Sequence, residues 1–195
     1  MDELKAFLEL GAMLVTDPRT VVLFCLLAYA AVIDVRTHRI PNRLVLSGLA
    51  FGFIYSAFVP FWGHHGFMWS LGGAAIGFGF FFPLWLLRMM GAGDVKLMAM
   101  VGSLLGMDAV QMALISTFAA GGMFALAFSL RHRKVRQMLA NIGRMFRQGG
   151  VAVVMGAPVS AVATNGWQSV GKLAFAVPVA VGTIASVIAR HFGFL

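Results

Sequence analysis

The acidic side chains of this chain are few enough to be considered one at a time. There are seven among 195 residues, and none follows position 108. The four nearest the N-terminus are interpreted as solvated charges, and Asp108, in a turn between two apolar runs, as the N-cap of the next helix. Asp34 and Asp94 remain. Each lies at the end of a long apolar stretch, where burying an unpaired charge costs roughly 3 kcal/mol, so both are candidates for function.

Two carboxylates held close together at the same depth could hydrolyse a peptide bond. Because they cannot both ionise cheaply, they share a proton. The ionised one can activate a water molecule while the protonated one polarises a peptide carbonyl, as in aspartic proteases. The pair titrates as a unit, so the choice of base and acid stays open. Taken singly, either aspartate could instead be an N-cap or the partner of Arg36 or Lys96.

Two glycines flank the second aspartate. Gly91 and Gly93 lack side chains, so a substrate strand or a facing helix can approach the backbone beside Asp94, and the chain can bend as it enters the helix. By itself the pattern G-x-G-D is a weak signal in a chain with 23 glycines.

The segment after the first aspartate contains a helix start signal. Pro41 and Asn42 are expected to form the turn that begins the second helix and sets the approach of Asp34. Lys96, two residues after Asp94, could position substrate, or it could serve only as a basic anchor at the membrane surface.

Other protease chemistries lack their residues. The chain has no G-x-S-x-G element and no H-E-x-x-H element. Its five histidines are scattered, and its one cysteine, Cys25, lies inside an apolar run, so we expect no metal site, no disulfide and no organic cofactor.

Composition assigns the chain to the integral membrane proteins. Hydrophobic residues make up 60% of it and charged residues 11%. The net charge is +8, but the basic residues form short clusters between apolar stretches, which is typical of cytoplasmic loops and not of a nucleic-acid-binding face.

An all-α, polytopic fold with about six transmembrane helices follows from the apolar stretches. A bilayer core of about 30 Å needs about 20 apolar residues per helix. The chain is read as one domain, 1–195, with an N-terminal interfacial segment at 1–19, a basic cytoplasmic loop at 131–150 and an unassigned stretch at 151–170. The expected spans are 21–33, 44–62, 67–87, 95–105, 109–130 and 172–189.

The basic residues predict the orientation of these spans. If the first span ends in the cytoplasm, all but Lys5, Arg19 and Arg190 of the 15 Lys and Arg residues lie on that side. Both termini are then outside the cytoplasm. Asp34 and Asp94 are expected together at the cytoplasmic boundary.

Two motifs resemble those of a known family, the type IV prepilin leader peptidases. "GAGDVKL", from Gly91, resembles its G-x-G-D-x-K-L signature, and "DVRTHRIPNRL", from Asp34, resembles its other aspartate motif. The likeness covers roughly residues 21–130, with a weaker echo in "GKLAFAVPVAVG". It implies that Asp34 and Asp94 are catalytic and that the substrate is the positively charged leader of a prepilin or pilin-like protein. It also implies cleavage at the cytoplasmic face of the inner membrane.

The chain departs from the longer members of that family. Those have an N-terminal cytoplasmic domain with paired CxxC motifs and methylate the new pilin N-terminus, whereas this chain has one cysteine. We therefore expect a short form without methyltransferase activity, similar to the peptidases of tight-adherence (Flp) pilus systems. The alternatives are a preflagellin-type or other GxGD intramembrane protease, and a non-enzymatic membrane transporter or assembly factor. The oligomeric state stays open.

Overall fold

The computed structural model describes residues 17–59, 66–86, 90–131 and 174–192, together with residues 136, 140 and 143. Every regular element among them is helical, as predicted. Most of the expected interfacial segment 1–19 and of the basic loop 131–150, and all of 151–170, lie outside the described residues. The helices are α1 Pro18–Thr37, α2 Asn42–Phe58, α3 Gly66–Leu86, α4 Ala92–Arg131 and α5 Ala176–His191.

Three of these helices, α1, α3 and α4, are long and apolar enough to cross a membrane, while α2 and α5 are shorter apolar helices. The membrane class is therefore confirmed. The described part of the chain contains five helices instead of the six expected, because the predicted spans 95–105 and 109–130 both lie within α4.

A break at Gly106 divides α4. Its backbone has φ 78° and ψ 179°, a conformation that is open essentially to glycine alone. The backbone of α3 at Gly73 lies close to Gly106, and at Gly77 it lies close to Met98. Beyond the break, the ring of Phe118 packs on Phe80 and Phe81 of α3, with centroids 5.5 and 5.3 Å away. Both halves of α4 thus run along α3 in opposite directions, and the chain reverses at Gly106.

The first half of α4 is the centre of the bundle. Leu97, Met98, Met100 and Val101 are fully buried. Glycines on the neighbouring helices allow the close packing, since a Cβ added to Gly48 of α2 would overlap Met100. This half of α4 is therefore enclosed by protein.

The two ends of α1 are defined by local hydrogen bonds. At the start, Asp17 is the N-cap and accepts from the backbone N–H of Arg19 at 3.1 Å, with Pro18 as the first helical residue. At the other end, His38 adopts a left-handed conformation (φ 50°) and donates its N–H to the carbonyl of Asp34 at 2.8 Å. The helix thus continues one turn beyond Asp34, where hydropathy alone placed its end.

An arginine joins α1 to α2 at the end of the bundle far from Asp34. Arg19 is buried; its Nη2 donates to the carbonyl of Val59 and its guanidinium lies 5.1 Å from the ring centroid of Tyr55. The side chain thereby caps the C-terminal end of α2 with a cation, the charge that a helix C-terminus favours.

Candidate functional site

Asp34 and Asp94 come from different helices and lie at the same end of the bundle. Asp34 is in the last turn of α1 and Asp94 in the first turn of α4. Both are buried, with 6% and 9% of their surface exposed. The two carboxylates lie close enough for their charges to interact. The structure thus brings together the two residues that the sequence singled out.

Asp34 binds to the start of the last helix. Its Oδ2 accepts a hydrogen bond of 2.9 Å from the backbone N–H of Ala176, the first residue of α5. The first N–H groups of a helix have no partner within the helix and form its electropositive end, so they suit a carboxylate.

Asp94 takes part in the cap of its own helix. Its Oδ2 accepts from the backbone N–H of Gly91 at 3.2 Å, and its backbone N–H donates to the carbonyl of Gly91 at 3.1 Å. The side-chain bond is one half of a capping box, in which an acidic side chain in the first turn reaches back to the N-cap residue, and the backbone carbonyl of Gly91 accepts in place of an N-cap side chain. Gly91 itself is exposed beside the buried aspartate.

The connection from α1 to α2 packs directly on the start of α4. Pro41 is the N-cap of α2 and Asn42 its first residue. A Cβ added to Gly93 would lie 3.3 Å from the Cβ of Ile40, so the missing side chain lets this connection approach closely. Lys96 donates from Nζ to Oδ1 of Asn42 at 3.1 Å. The "IPN" segment and the "GAGDVK" segment therefore form one unit around the two aspartates.

The described basic residues around the site do not form ion pairs with the two carboxylates. Within the described ranges, no Lys or Arg side chain forms an ion pair with Asp34 or Asp94, and Lys96 binds Asn42 instead. Arg36 is exposed. Asp108 is exposed and lies beside the Gly106 turn, in the first turn of the returning half of α4, far from both aspartates.

The sequence reasoning did not find the contribution of α5. A backbone N–H carries no residue-type signal, and Ala176 is 142 positions from Asp34. The available signal was Pro178, which lies in the first turn of α5. Proline is tolerated there because an N–H at this position would have no acceptor within the helix.

This arrangement offers two buried carboxylates with limited hydrogen bonding and no neutralising cation among the described residues. Such a pair can hold one shared proton and so combine a base with an acid. Among the described residues, no three His, Cys, Asp or Glu side chains are grouped so that they could hold a metal ion.

Comparison with protein families gave a match. The model of the type IV leader peptidase family matches residues 21–126, which is more than half of the chain and includes both aspartates. Comparison with curated proteins gave no match. Comparison with solved structures also gave none.

Proposed function

Because the chain belongs to the type IV leader peptidase family, we propose that it is an aspartic endopeptidase that removes the leader from prepilins or pilin-like proteins, with Asp34 and Asp94 as its catalytic pair. The observation that carries the proposal is the burial of these two carboxylates, from α1 and α4, at one end of the bundle, where the segments that contain them pack on each other.

The reaction needs only the carboxyl pair and water. One carboxylate takes a proton from water as the water oxygen bonds to the carbonyl carbon, and the protonated partner transfers its proton to the carbonyl oxygen. Collapse of this tetrahedral intermediate breaks the C–N bond. The base then gives its proton to the leaving amine, and the other carboxyl recovers a proton from the intermediate. The pair ends with the single proton that it held at the start.

The substrate that fits this site is an extended segment followed by an apolar helix. The backbone at Gly91 and Ala92 is exposed next to buried Asp94, so a peptide can reach the pair from the bundle end. The proposed basic leader would remain on the cytoplasmic side. Lys96 and Asn42 link the two aspartate segments by their hydrogen bond, and Pro41 is the N-cap of the helix that begins at Asn42; all three are assigned a positioning role.

The proposed location is the inner membrane, with the aspartate end of the bundle facing the cytoplasm. We infer from the reversal at Gly106 that α4 crosses the membrane twice, which would make six crossings in total. The exposed residues Arg36, Arg39 and Arg43 then lie on the cytoplasmic side, as the positive-inside rule favours. The single cysteine is the basis for proposing a peptidase without methyltransferase activity.

The test is leader cleavage by wild type, Asp34→Asn, Asp94→Asn and Asp108→Asn. Each is co-expressed with a panel of prepilin-like proteins that have a basic leader and an apolar helix, and cleavage is read as a gel shift. Asparagine keeps the size of aspartate but cannot accept or supply the catalytic proton. We expect cleavage to fall at least about 100-fold in the first two variants and to be unchanged in Asp108→Asn, the exposed control.

Equal amounts of each variant in the membrane fraction guard against a folding defect. Retained cleavage by Asp34→Asn or Asp94→Asn would remove that residue from catalysis. If wild type cleaves no member of the panel, the result favours the non-enzymatic alternative, a transporter or an assembly factor that uses the same carboxylates.

A further inference from the structure

The hydrogen bond between Ala176 and Asp34 joins the last helix to the proposed catalytic pair. Both residues are buried, and the N–H that donates is one that α5 cannot satisfy internally. Asp34 also stands in the last turn of α1, the electronegative end of its own helix. The α5 N–H thus compensates for a position that by itself disfavours a carboxylate.

The N-terminus of α5 is held firmly in place by its neighbours. The ring of Phe175 packs over Gly121 of α4, where an added Cβ would lie 3.2 Å from Cε2. The same ring lies 6.0 Å from that of Phe81 of α3, in an edge-on arrangement. Seven residues further on, Gly182 lies against the backbone of Thr117, so closely that no side chain fits there. The donor is therefore fixed by contacts with both α3 and α4.

The two aspartates differ in what orients them. Asp94 accepts from Gly91, an exposed residue of its own helix start, so α4 orients it locally. Asp34 accepts from a buried group on another helix, where a hydrogen bond to a charged group is stronger than in water. The orientation of Asp34 thus depends on how α5 docks, while that of Asp94 does not.

We propose that the backbone N–H of Ala176 is a positioning group for the reaction: it holds Oδ2 of Asp34, so that Oδ1 is the oxygen presented to the water and the scissile peptide. The inference rests on the proposed function. It adds to the site a residue that lies beyond the region matched by the family model.

The test removes this one N–H while keeping the side chain. Cell-free synthesis into nanodiscs can replace Ala176 by lactic acid, which exchanges the backbone amide for an ester. The matched control replaces Val177 by 2-hydroxyisovaleric acid, which removes the next N–H; that group donates to the carbonyl of Ala174 at 3.3 Å and does not contact Asp34.

Two measurements decide between the outcomes. With a cleaved prepilin substrate, we expect kcat to fall about tenfold or more for the 176 ester, with KM within about twofold of wild type and the 177 ester close to wild type. In parallel, the ¹³C carboxyl NMR signal of Asp34, identified by its absence in Asp34→Asn, should move in the 176 ester and stay in place in the 177 ester.

Equal effects of the two esters on kcat and on the signal would overturn the proposal, because they would reflect general weakening of α5. The carboxyl signal does not depend on turnover. If wild type fails to cleave any substrate, the proposed function fails, and the NMR comparison still decides whether Ala176 orients Asp34.

Discussion

Lys96 and Asn42 form a link between the two chain segments that contain the aspartates. Lys96 stands two residues after Asp94, and Asn42 opens α2 just after the connection from α1. Both side chains are exposed, so their 3.1 Å hydrogen bond adds little to overall stability. Its effect should be on the relative placement of the two segments, and therefore on turnover.

A double-mutant cycle measures this link. We expect Lys96→Met and Asn42→Leu each to lower kcat about three- to tenfold, and the double variant to be no worse than the poorer single one. Arg43→Met is the control, since Arg43 is an exposed cation adjacent to Asn42. Additive losses in the cycle would mean that the two side chains act separately, for instance each on the substrate.

At the scale of the elements, the close packing of α3 against α4 depends on glycine. A Cβ added to Gly73 would lie 2.2 Å from the carbonyl oxygen of Gly102, and a Cβ added to Gly102 would lie 2.1 Å from that of Gly73. Backbone atoms cannot rotate away as a side chain can. The two helices would have to separate, and with them the central half of α4 that begins at the site.

Alanine substitutions at these positions test that contact. We expect Gly73→Ala and Gly102→Ala each to destabilise the protein by about 1–3 kcal/mol through overpacking, measured as the thermal midpoint in detergent micelles. The matched control is Gly79→Ala, on α3 like Gly73, because its added Cβ meets nothing within 4 Å. This substitution should be neutral or stabilising by about 0.5–1 kcal/mol. A similar drop for all three would mean that the loss of stability does not come from the contact between α3 and α4.

Most of the helices could be predicted from the sequence. Hydropathy located α1 to α3, and the turn predicted around Asp108, between two apolar runs, located the break in α4. The ends were less accurate, because the turn that carries α1 on to Thr37 is made by backbone hydrogen bonds to polar residues. Asp34 and Asp94 were found because acids are rare in this chain. The partners of these residues, such as Ala176, depend on tertiary packing that no local pattern encodes.

The orientation of the whole molecule can be tested by cysteine labelling. In a Cys25→Ala background, Arg43→Cys lies at the aspartate end of the bundle, and Val59→Cys and Asp108→Cys lie at the opposite end. With an impermeant maleimide on intact spheroplasts, we expect labelling at positions 59 and 108 and none at 43 until the membrane is opened. Labelling at 43 alone would place the aspartates outside the cytoplasm. Protection of 108 would contradict two crossings by α4.

The reversal at Gly106 also makes the helix that carries Asp94 short for a membrane. At about 1.5 Å per residue, residues 92–105 span about 21 Å, against about 30 Å of hydrocarbon in a typical bilayer. This half of α4 is enclosed by protein, whereas α1 and α3, with 20 and 21 residues, are long enough to span the hydrocarbon. The shorter inner helix therefore leaves room for water inside the protein at the aspartate end of the bundle, and the nucleophile is supplied without thinning of the surrounding lipid. Cleavage rates should accordingly be similar in nanodiscs of 14-carbon and 20-carbon phosphatidylcholines, and much faster cleavage in the thinner bilayer would point to lipid thinning instead.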